Sequence, residues 1–181
     1  MSLKKLSPEK AAAETIAWQK RGFRSAKIKV GGGIEADRDR VKAVREAMFD
    51  PFEYLMLRHK DGLLKTDFKK DLGKVSYHIA CHLRVQNMGQ KTREVLQLAA
   101  KEKLNTVERC SGHSGSWGCK KEFHGMAMKI GRPVFRQMGS TDPDYISSDC
   151  PIAGRHIQQG IGESRARKEH PLTLLRIAYG I

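Results

Sequence analysis

Val75-Ser76-Tyr77-His78-Ile79-Ala80-Cys81 is an apolar run of strand length that ends on a cysteine, and the chain repeats this arrangement twice. Asn105-Thr106-Val107-Glu108-Arg109 leads into Cys110, and Tyr145-Ile146-Ser147-Ser148-Asp149 leads into Cys150. After each cysteine the pattern changes to that of a turn or a helix. Strands that alternate with helices pair in parallel, because each helix returns the chain to the same end of the sheet. The expected fold is therefore α/β, a parallel sheet of repeated strand–helix units. Its cysteines would emerge at the carboxyl edge, where open α/β sheets place their ligands.

The connecting helices are read from their punctuation and period. One runs from about Thr92 to Lys101 with Val95, Leu96 and Ala99 inward. The next follows the glycine-rich stretch Cys110-Ser111-Gly112-His113-Ser114-Gly115-Ser116-Trp117-Gly118. It presents Phe123, Met126, Ala127 and Ile130 inward and is expected to be interrupted near Gly131 and Pro133. Pro151 opens a third helix that Gly160 stops, and Pro171 to Tyr179 forms a last one. Ahead of these, residues 1–48 read as a helix–strand–helix appendage. Pro8 opens a helix after Ser7, with Ala11, Ala12, Thr15, Ile16 and Gln19 on one stripe and Gly22 at its end. Ala26 to Val30 is a strand, Gly31-Gly32-Gly33 breaks it, and Glu35 to Met48 is a helix with Val41, Val44 and Met48 on one face. Asp50-Pro51 marks the change to residues 49–181, where a mixed segment with a turn at Asp61-Gly62 precedes the first cysteine unit.

Composition narrows the function. No apolar run approaches the roughly 20 residues of a membrane span. The basic start is followed by an amphipathic segment instead of a signal peptide, so the expected compartment is the reducing cytoplasm. There, four cysteines serve metal binding or catalysis sooner than disulfides. The net charge of +14 invites a nucleic-acid partner. The charge is spread along the chain, however, with one short cluster at Arg165-Ala166-Arg167-Lys168. Aromatic residues are 7% of the chain and are not interleaved with that cluster, as base stacking requires. A solvated basic surface, or a face for an acidic protein or anionic substrate, is the expectation.

Cysteines at strand ends, next to helix amino termini, are placed where the helix dipole favours thiolate, the metal-binding form. Cys150-Pro151 shows this most clearly. Cys81, Cys110 and Cys150 are therefore the candidate metal ligands. His82 and His113 lie within three residues of Cys81 and Cys110, and each is a candidate fourth ligand, proton donor or orienting group. His78, Tyr77 and Trp117 read as packing, and Cys119 lies off the pattern. No C-x-x-C, P-loop or dinucleotide fingerprint occurs, and Arg84 follows Cys81 too soon for a thiol-phosphatase loop.

Four segments carry a family resemblance: Cys81-His82-Leu83-Arg84-Val85-Gln86-Asn87-Met88-Gly89, Arg109-Cys110-Ser111-Gly112-His113, Lys120-Lys121-Glu122-Phe123 and Ser148-Asp149-Cys150-Pro151. Through them, residues 49–181 resemble the cysteine-rich CCG domain of iron–sulfur oxidoreductases. Among these are the C subunit of anaerobic glycerol-3-phosphate dehydrogenase and the B subunit of heterodisulfide reductase. The resemblance implies an iron–sulfur cluster, of the 4Fe-4S type. It further implies electron relay between a flavin-containing dehydrogenase subunit and a quinone or other acceptor in anaerobic respiration. The chain would then sit in the cytoplasm, peripheral at the inner face of the membrane through its partners. The cysteine set departs from the family: Ser111 follows Cys110 where the family has a double cysteine, and Ala153 stands where a C-x-x-C would close.

Residues 8–48 instead resemble part of the barrel of the mandelate racemase branch of the enolase superfamily. Gly22 to Gly31 and Asp37 to Met48 carry that likeness, with Lys27 and Lys29 matching its Lys-x-Lys motif and Lys29 in the place of a base. One βα unit cannot close a barrel, and the carboxylates that hold magnesium in that family have no counterpart here. The expected role of this piece is non-catalytic. A fusion, a truncated frame and an artificial chimera remain equal origins for the join at Met48-Phe49.

Overall fold

The computed structural model describes residues 2–3, 7–21, 27–28 and 33–181. The expectations for Gly22 to Ala26, Gly31-Gly32 and the base at Lys29 lie outside the described residues. By internal packing the chain divides into two units, Met1–Tyr54 and Leu55–Ile181.

In the first unit, β1 (Ser2–Leu3) pairs in parallel with β2 (Lys27–Ile28). Helices α1 (Pro8–Lys20) and α2 (Ile34–Glu46) pack on one another. The buried stripe of α1 is narrower than its apolar content suggests: Ala11 and Thr15, one turn apart, are buried, while Ile16 is exposed. The Thr15 hydroxyl donates to the Ala11 carbonyl at 2.8 Å, so its burial leaves no orphan. On α2 only Val44 of the expected face is buried, and Val41 and Met48 are exposed. Arg40 takes the remaining inward position, its guanidinium 2.7 Å from Asp37. Helix α3 (Pro51–Lys60) opens at Pro51, where the Asp50 carboxylate caps it by accepting the Phe52 N–H.

In the second unit, four strands form an all-parallel sheet in the order β4-β3-β5-β6: β3 (Val75–His78), β4 (Asn105–Val107), β5 (Tyr145–Ser148) and β6 (Arg167–Glu169). Helices α4 (Cys81–Arg84) and α5 (Lys91–Ala99) connect β3 to β4. Helix α6 (Lys121–Gly139) connects β4 to β5, α7 (Pro151–Ile161) connects β5 to β6, and α8 (Pro171–Tyr179) closes the chain. Central strand β3 is buried at every residue, as a strand covered on both faces must be. On one face Val107 and Ile146 pack with Val134, Phe135, Met138 and Ile157 from α6 and α7. On the other, Tyr77 points toward Thr92 of α5, and α5 packs on α8 through buried residues that include the expected Val95, Leu96 and Ala99.

Four expectations are corrected. Helix α6 is not interrupted: it runs through Gly131 and Pro133 to Gly139. Of its expected inward residues only Ala127 is buried. Phe123, Met126 and Ile130 are exposed, and the core side is Gly131, Val134, Phe135 and Met138. Helix α7 passes Gly160 and stops at Gly162, whose positive φ of 78° suits glycine. The cluster Arg165-Ala166-Arg167-Lys168, expected as solvated surface, enters the edge strand β6 at Arg167 and Lys168, with Ala166 in the core and Arg167 stacked on the Tyr145 ring. Charged side chains suit an edge, since they discourage further strand pairing.

His78, at the end of β3, ties the strand ends together. Its Nε2–H donates to the Arg109 carbonyl at 2.8 Å, since a carbonyl only accepts. Its Nδ1, 3.1 Å away, is then the acceptor for the Ser148 hydroxyl. The Ser148 oxygen in turn accepts the Cys150 N–H at 3.4 Å. One buried imidazole thus bonds to the residue before Cys110 and, through Ser148, to the backbone of Cys150. Burial pushes the His78 pKa down; the Arg109 bond opposes this, and the His113 charge adds to the lowering.

Loop 110–112 is brought onto α6 by two glycines. A Cβ at Gly112, where φ is +90°, would meet the Ala127 carbonyl oxygen at 2.4 Å. One at Gly131 would meet the Ser111 carbonyl oxygen at 2.5 Å and the Phe135 ring at 2.3 Å. Gly125, on the same helix, has nothing within 4 Å.

Three outcomes test this account. In urea unfolding, His78→Leu costs about 2–4 kcal/mol, because the Arg109 carbonyl and the Ser148 hydroxyl lose their partner. The His78 pKa lies below that of an unfolded histidine, about 6.5, so the unfolded chain binds the extra proton. Stability from this group is complete above that pH and falls on acidification, by at most about 1.4 kcal/mol per pH unit. His78→Gln flattens that slope; an unchanged slope contradicts the assignment. Within α6, Gly125→Ala raises the unfolding midpoint by the helix-propensity gain of up to about 1 kcal/mol. Gly131→Ala lowers it by about 2 kcal/mol or more through overpacking. Equal effects at the two sites would show that the loop does not rest on Gly131.

Candidate metal centre

Strands β4, β3 and β5 are neighbours, and all three point the same way. Cys110, Cys81 and Cys150 follow their carboxyl ends, so the chain delivers three cysteines to one edge of one sheet. All four cysteines of the chain are free thiols.

Cys81 is the first residue of α4 and is exposed. It lines a cavity of about 550 Å³ with Tyr77, Arg84, Lys91, Thr92 and Glu108. The cationic groups there are matched locally: Arg84 pairs with Glu108 at 3.0 Å and Lys91 with Glu94 at 3.0 Å. Cys110 is exposed on the loop that Gly112 presses against α6, and its sulfur accepts the Gly112 N–H at 3.4 Å. Cys150 is half-buried at the N-cap of α7, where its sulfur accepts the Ala153 N–H at 3.5 Å. A cysteine sulfur here takes the place that a serine or aspartate oxygen usually fills.

His113 is the histidine that reaches a cysteine. Its Nδ1–H donates to the Gly115 carbonyl at 3.2 Å, which leaves the Nε2 lone pair facing the Cys150 sulfur at 3.8 Å. The chain thus brings together a loop after β4 and the helix start after β5. His82 is exposed on α4 beside Cys81. Cys119 is exposed in a short 3-10 turn, Trp117–Cys119, and lines a cavity together with His113, Pro151 and Ile152. Trp117, expected in the core, is half-buried and stacked on Phe123 with ring centres 5.1 Å apart.

The turn that carries Cys150 is held from both sides. Ser148 is bonded to His78, and the Asp149 carboxylate accepts the Tyr77 and Thr92 hydroxyls, the latter at 2.9 Å. Burial pushes the Asp149 carboxyl above its ordinary range, and the Tyr77 and Thr92 bonds oppose that shift. The sequence pattern presents Tyr77 and His78 as packing and gives no signal at Asp149 or Thr92. Their roles rest on partners 31 to 72 residues away, and no local pattern reports such pairs.

The donors suit an iron–sulfur group in kind. Thiolate sulfurs are its usual ligands, and N–H bonds to those sulfurs tune its charge; two of the three sulfurs already accept one. The side chains do not converge on a single ion: among the described residues no three His, Cys, Asp or Glu groups are placed to share one.

The cysteine-rich CCG domain model matches residues 75–158. The C subunit of the anaerobic glycerol-3-phosphate dehydrogenase of Escherichia coli is 33% identical over 103 residues, covering 56% of this chain and 25% of that protein. An uncharacterized iron–sulfur protein of Methanococcus maripaludis is 30% identical over 135 residues, 71% of this chain and 26% of that protein. The D subunit of the dihydromethanophenazine:CoB–CoM heterodisulfide reductase of Methanosarcina acetivorans is 26% identical over 143 residues, 72% of this chain and 34% of that protein. The chain spans about a quarter of the length of the first of these relatives. No solved structure matches it. The domain match opens at the first residue of β3, ends within α7 and contains all three strand-end cysteines, leaving residues 8–48 outside. Residues 75–158 of this chain are thus a cysteine-rich domain of the CCG family.

Proposed function

We propose that this domain is the electron-transfer module of an iron–sulfur oxidoreductase subunit. In this reading Cys81, Cys110 and Cys150 hold the cluster, His113 supplies the fourth donor, and His82 stands beside the Cys81 ligand. The observation that carries it is the delivery of three cysteines to one edge by three adjacent parallel strands, with His113 3.8 Å from the Cys150 sulfur. A bound cluster supplies reversible one-electron transfer, most simply of the 4Fe-4S type. The chain's own residues orient it. Gly112 and Ala153 donate backbone N–H groups to two ligand sulfurs, and His78 and Asp149 fix the turns that present them.

The electron donor in this reading is a flavin-containing dehydrogenase subunit, such as that of a glycerol-3-phosphate dehydrogenase, and the acceptor is a quinone or a similar carrier. The chain relays electrons and is no self-sufficient catalyst. Among the described residues no helix is long and apolar enough to cross a membrane. The proposed location is accordingly the cytoplasm, with membrane contact made through partners. Residues 49–181 carry this role, and residues 1–48 are an appendage without catalysis.

One observation favours a second reading, a cluster-free scaffold that docks a dehydrogenase: the described donors do not converge on a single ion. Anaerobic reconstitution of the full chain with iron and sulfide separates the two. The first reading expects bound iron and sulfide in the purified protein, with visible charge-transfer absorbance. Cys110→Ser and Cys150→Ser each lose most of both, and Cys119→Ser retains them. A folded, colourless and iron-free chain would overturn the cluster and select the scaffold.

A further inference from the structure

Beside Cys150, against the outer side of α7, lies a second cavity of about 490 Å³. Its polar lining is His113, His124, Arg155, His156, Gln159 and Lys168, with no aspartate or glutamate. In a chain of 20 acidic residues this one-signed lining selects for an anion. Arg155 and Lys168 make no ion pair among the described residues. Lys168 lines the cavity from β6, its stem passing Gly154, where a Cβ would stand 3.5 Å from the Lys168 Cδ in ordinary contact. An ammonium from a neighbouring strand and a guanidinium from α7 therefore face the same space.

Hydrogen bonding within the wall decides what kind of anion fits. His124 is satisfied, its Nδ1–H donating to the Gly118 carbonyl at 3.1 Å and its Nε2 accepting from Gln159 at 3.2 Å. His113 is committed to Gly115 and Cys150. His156 is different. It is 7% exposed, wedged edge-on against Phe135, and its Nε2 is buried without a hydrogen-bond partner. Its other nitrogen bonds to the Ala127 carbonyl and so carries the proton. With the proton on the nitrogen that faces Ala127, Nε2 is the acceptor of the neutral ring, and burial favours that neutral form by pushing the His156 pKa down. Buried orphans of this kind cost stability unless a ligand or water fills them.

We propose that this cavity binds a small phosphate-bearing anion, with Arg155 and Lys168 donating to phosphoryl oxygens and the ligand's own O–H donating to His156 Nε2. Phosphate suits this set because it keeps a proton near neutrality while still charged. Sulfate offers no proton, and a carboxylate has neither the third oxygen nor, once ionised, an O–H. None of Arg155, His156 and Lys168 is a proposed cluster ligand, so the inference stands whether or not a cluster binds.

Titration calorimetry of the full chain without metal, at pH about 6 and constant ionic strength, tests it with inorganic phosphate, sulfate and acetate as probes. Saturable phosphate binding is expected, about tenfold tighter than sulfate, with acetate weaker still. Arg155→Ala and Lys168→Ala each weaken phosphate by about tenfold, while Arg132→Ala, outside the cavity, leaves it unchanged. His156→Leu removes the preference for phosphate over sulfate. Should that variant fail to fold, the two surface variants and the phosphate–sulfate comparison still decide. The proposal is overturned by a lack of saturable phosphate binding, by equal affinity for sulfate, or by unaltered binding in both cation variants.

Discussion

The buried imidazole of His78 is the constraint on which the cysteine edge depends. A histidine at the end of a central strand has to satisfy two nitrogens away from water. Here one goes to the Arg109 carbonyl and the other to the Ser148 hydroxyl, so each neighbouring strand is fixed at its carboxyl end. Those two positions immediately precede the turns that carry Cys110 and Cys150. Ladder hydrogen bonds alone would hold the strands but leave the loops beyond them free to splay. The side-chain tie extends order past the last ladder bond and sets where two of the three sulfurs begin.

Around this tie the two turns are fixed by different means. The Cys150 turn is held by polar bonds from opposite faces, with Ser148 facing His78 and Asp149 reaching Tyr77 and Thr92. Alternation along a strand requires that consecutive residues point to opposite faces, so the sequence Ser-Asp-Cys couples both helical layers to one cysteine. The Cys110 turn is held by close packing instead, through Gly112 and Gly131. Polar satisfaction makes the first turn sensitive to pH, and steric closeness makes the second sensitive to a single methyl group. Cys81, at the start of the four-residue α4, has neither device and borders the cavity of about 550 Å³.

The excess positive charge is organised more than composition suggests. Part of it is held where it stands: Arg165 is paired with Asp142 at 3.2 Å, and Arg167 is stacked, still charged, on Tyr145. Another part, Arg155 and Lys168, faces a cavity whose wall contains no acid. The exposed Phe123, Met126 and Ile130 mark an outer face on α6. Its core face is instead small at Ala127 and Gly131, where the loop rests, and large at Val134, Phe135 and Met138.

Much of the fold was legible in the chain. The apolar runs ending at Cys81, Cys110 and Cys150, the prolines opening α7 and α8, and the 3.6-residue spacing of Val95, Leu96 and Ala99 are local patterns, and local backbone physics enforces them. The same patterns misled where two faces of a helix are both apolar. Phe123 and Ile130 read as core as readily as Val134 and Met138, and the packing of α6 against the sheet chose between them. The edge strand β6 was hidden because three residues rich in charge carry no strand signal; pairing with β5 made it one. By itself, then, the sequence determined the alternation of strands and helices as far as α7 and the attachment of a cysteine to each of three strands. Tertiary structure alone decided the strand order β4-β3-β5-β6, the partners of His78 and Asp149, and the approach of His113 to Cys150. Each of those joins residues tens of positions apart, and no local preference encodes which distant groups a packed layer will bring within bonding distance.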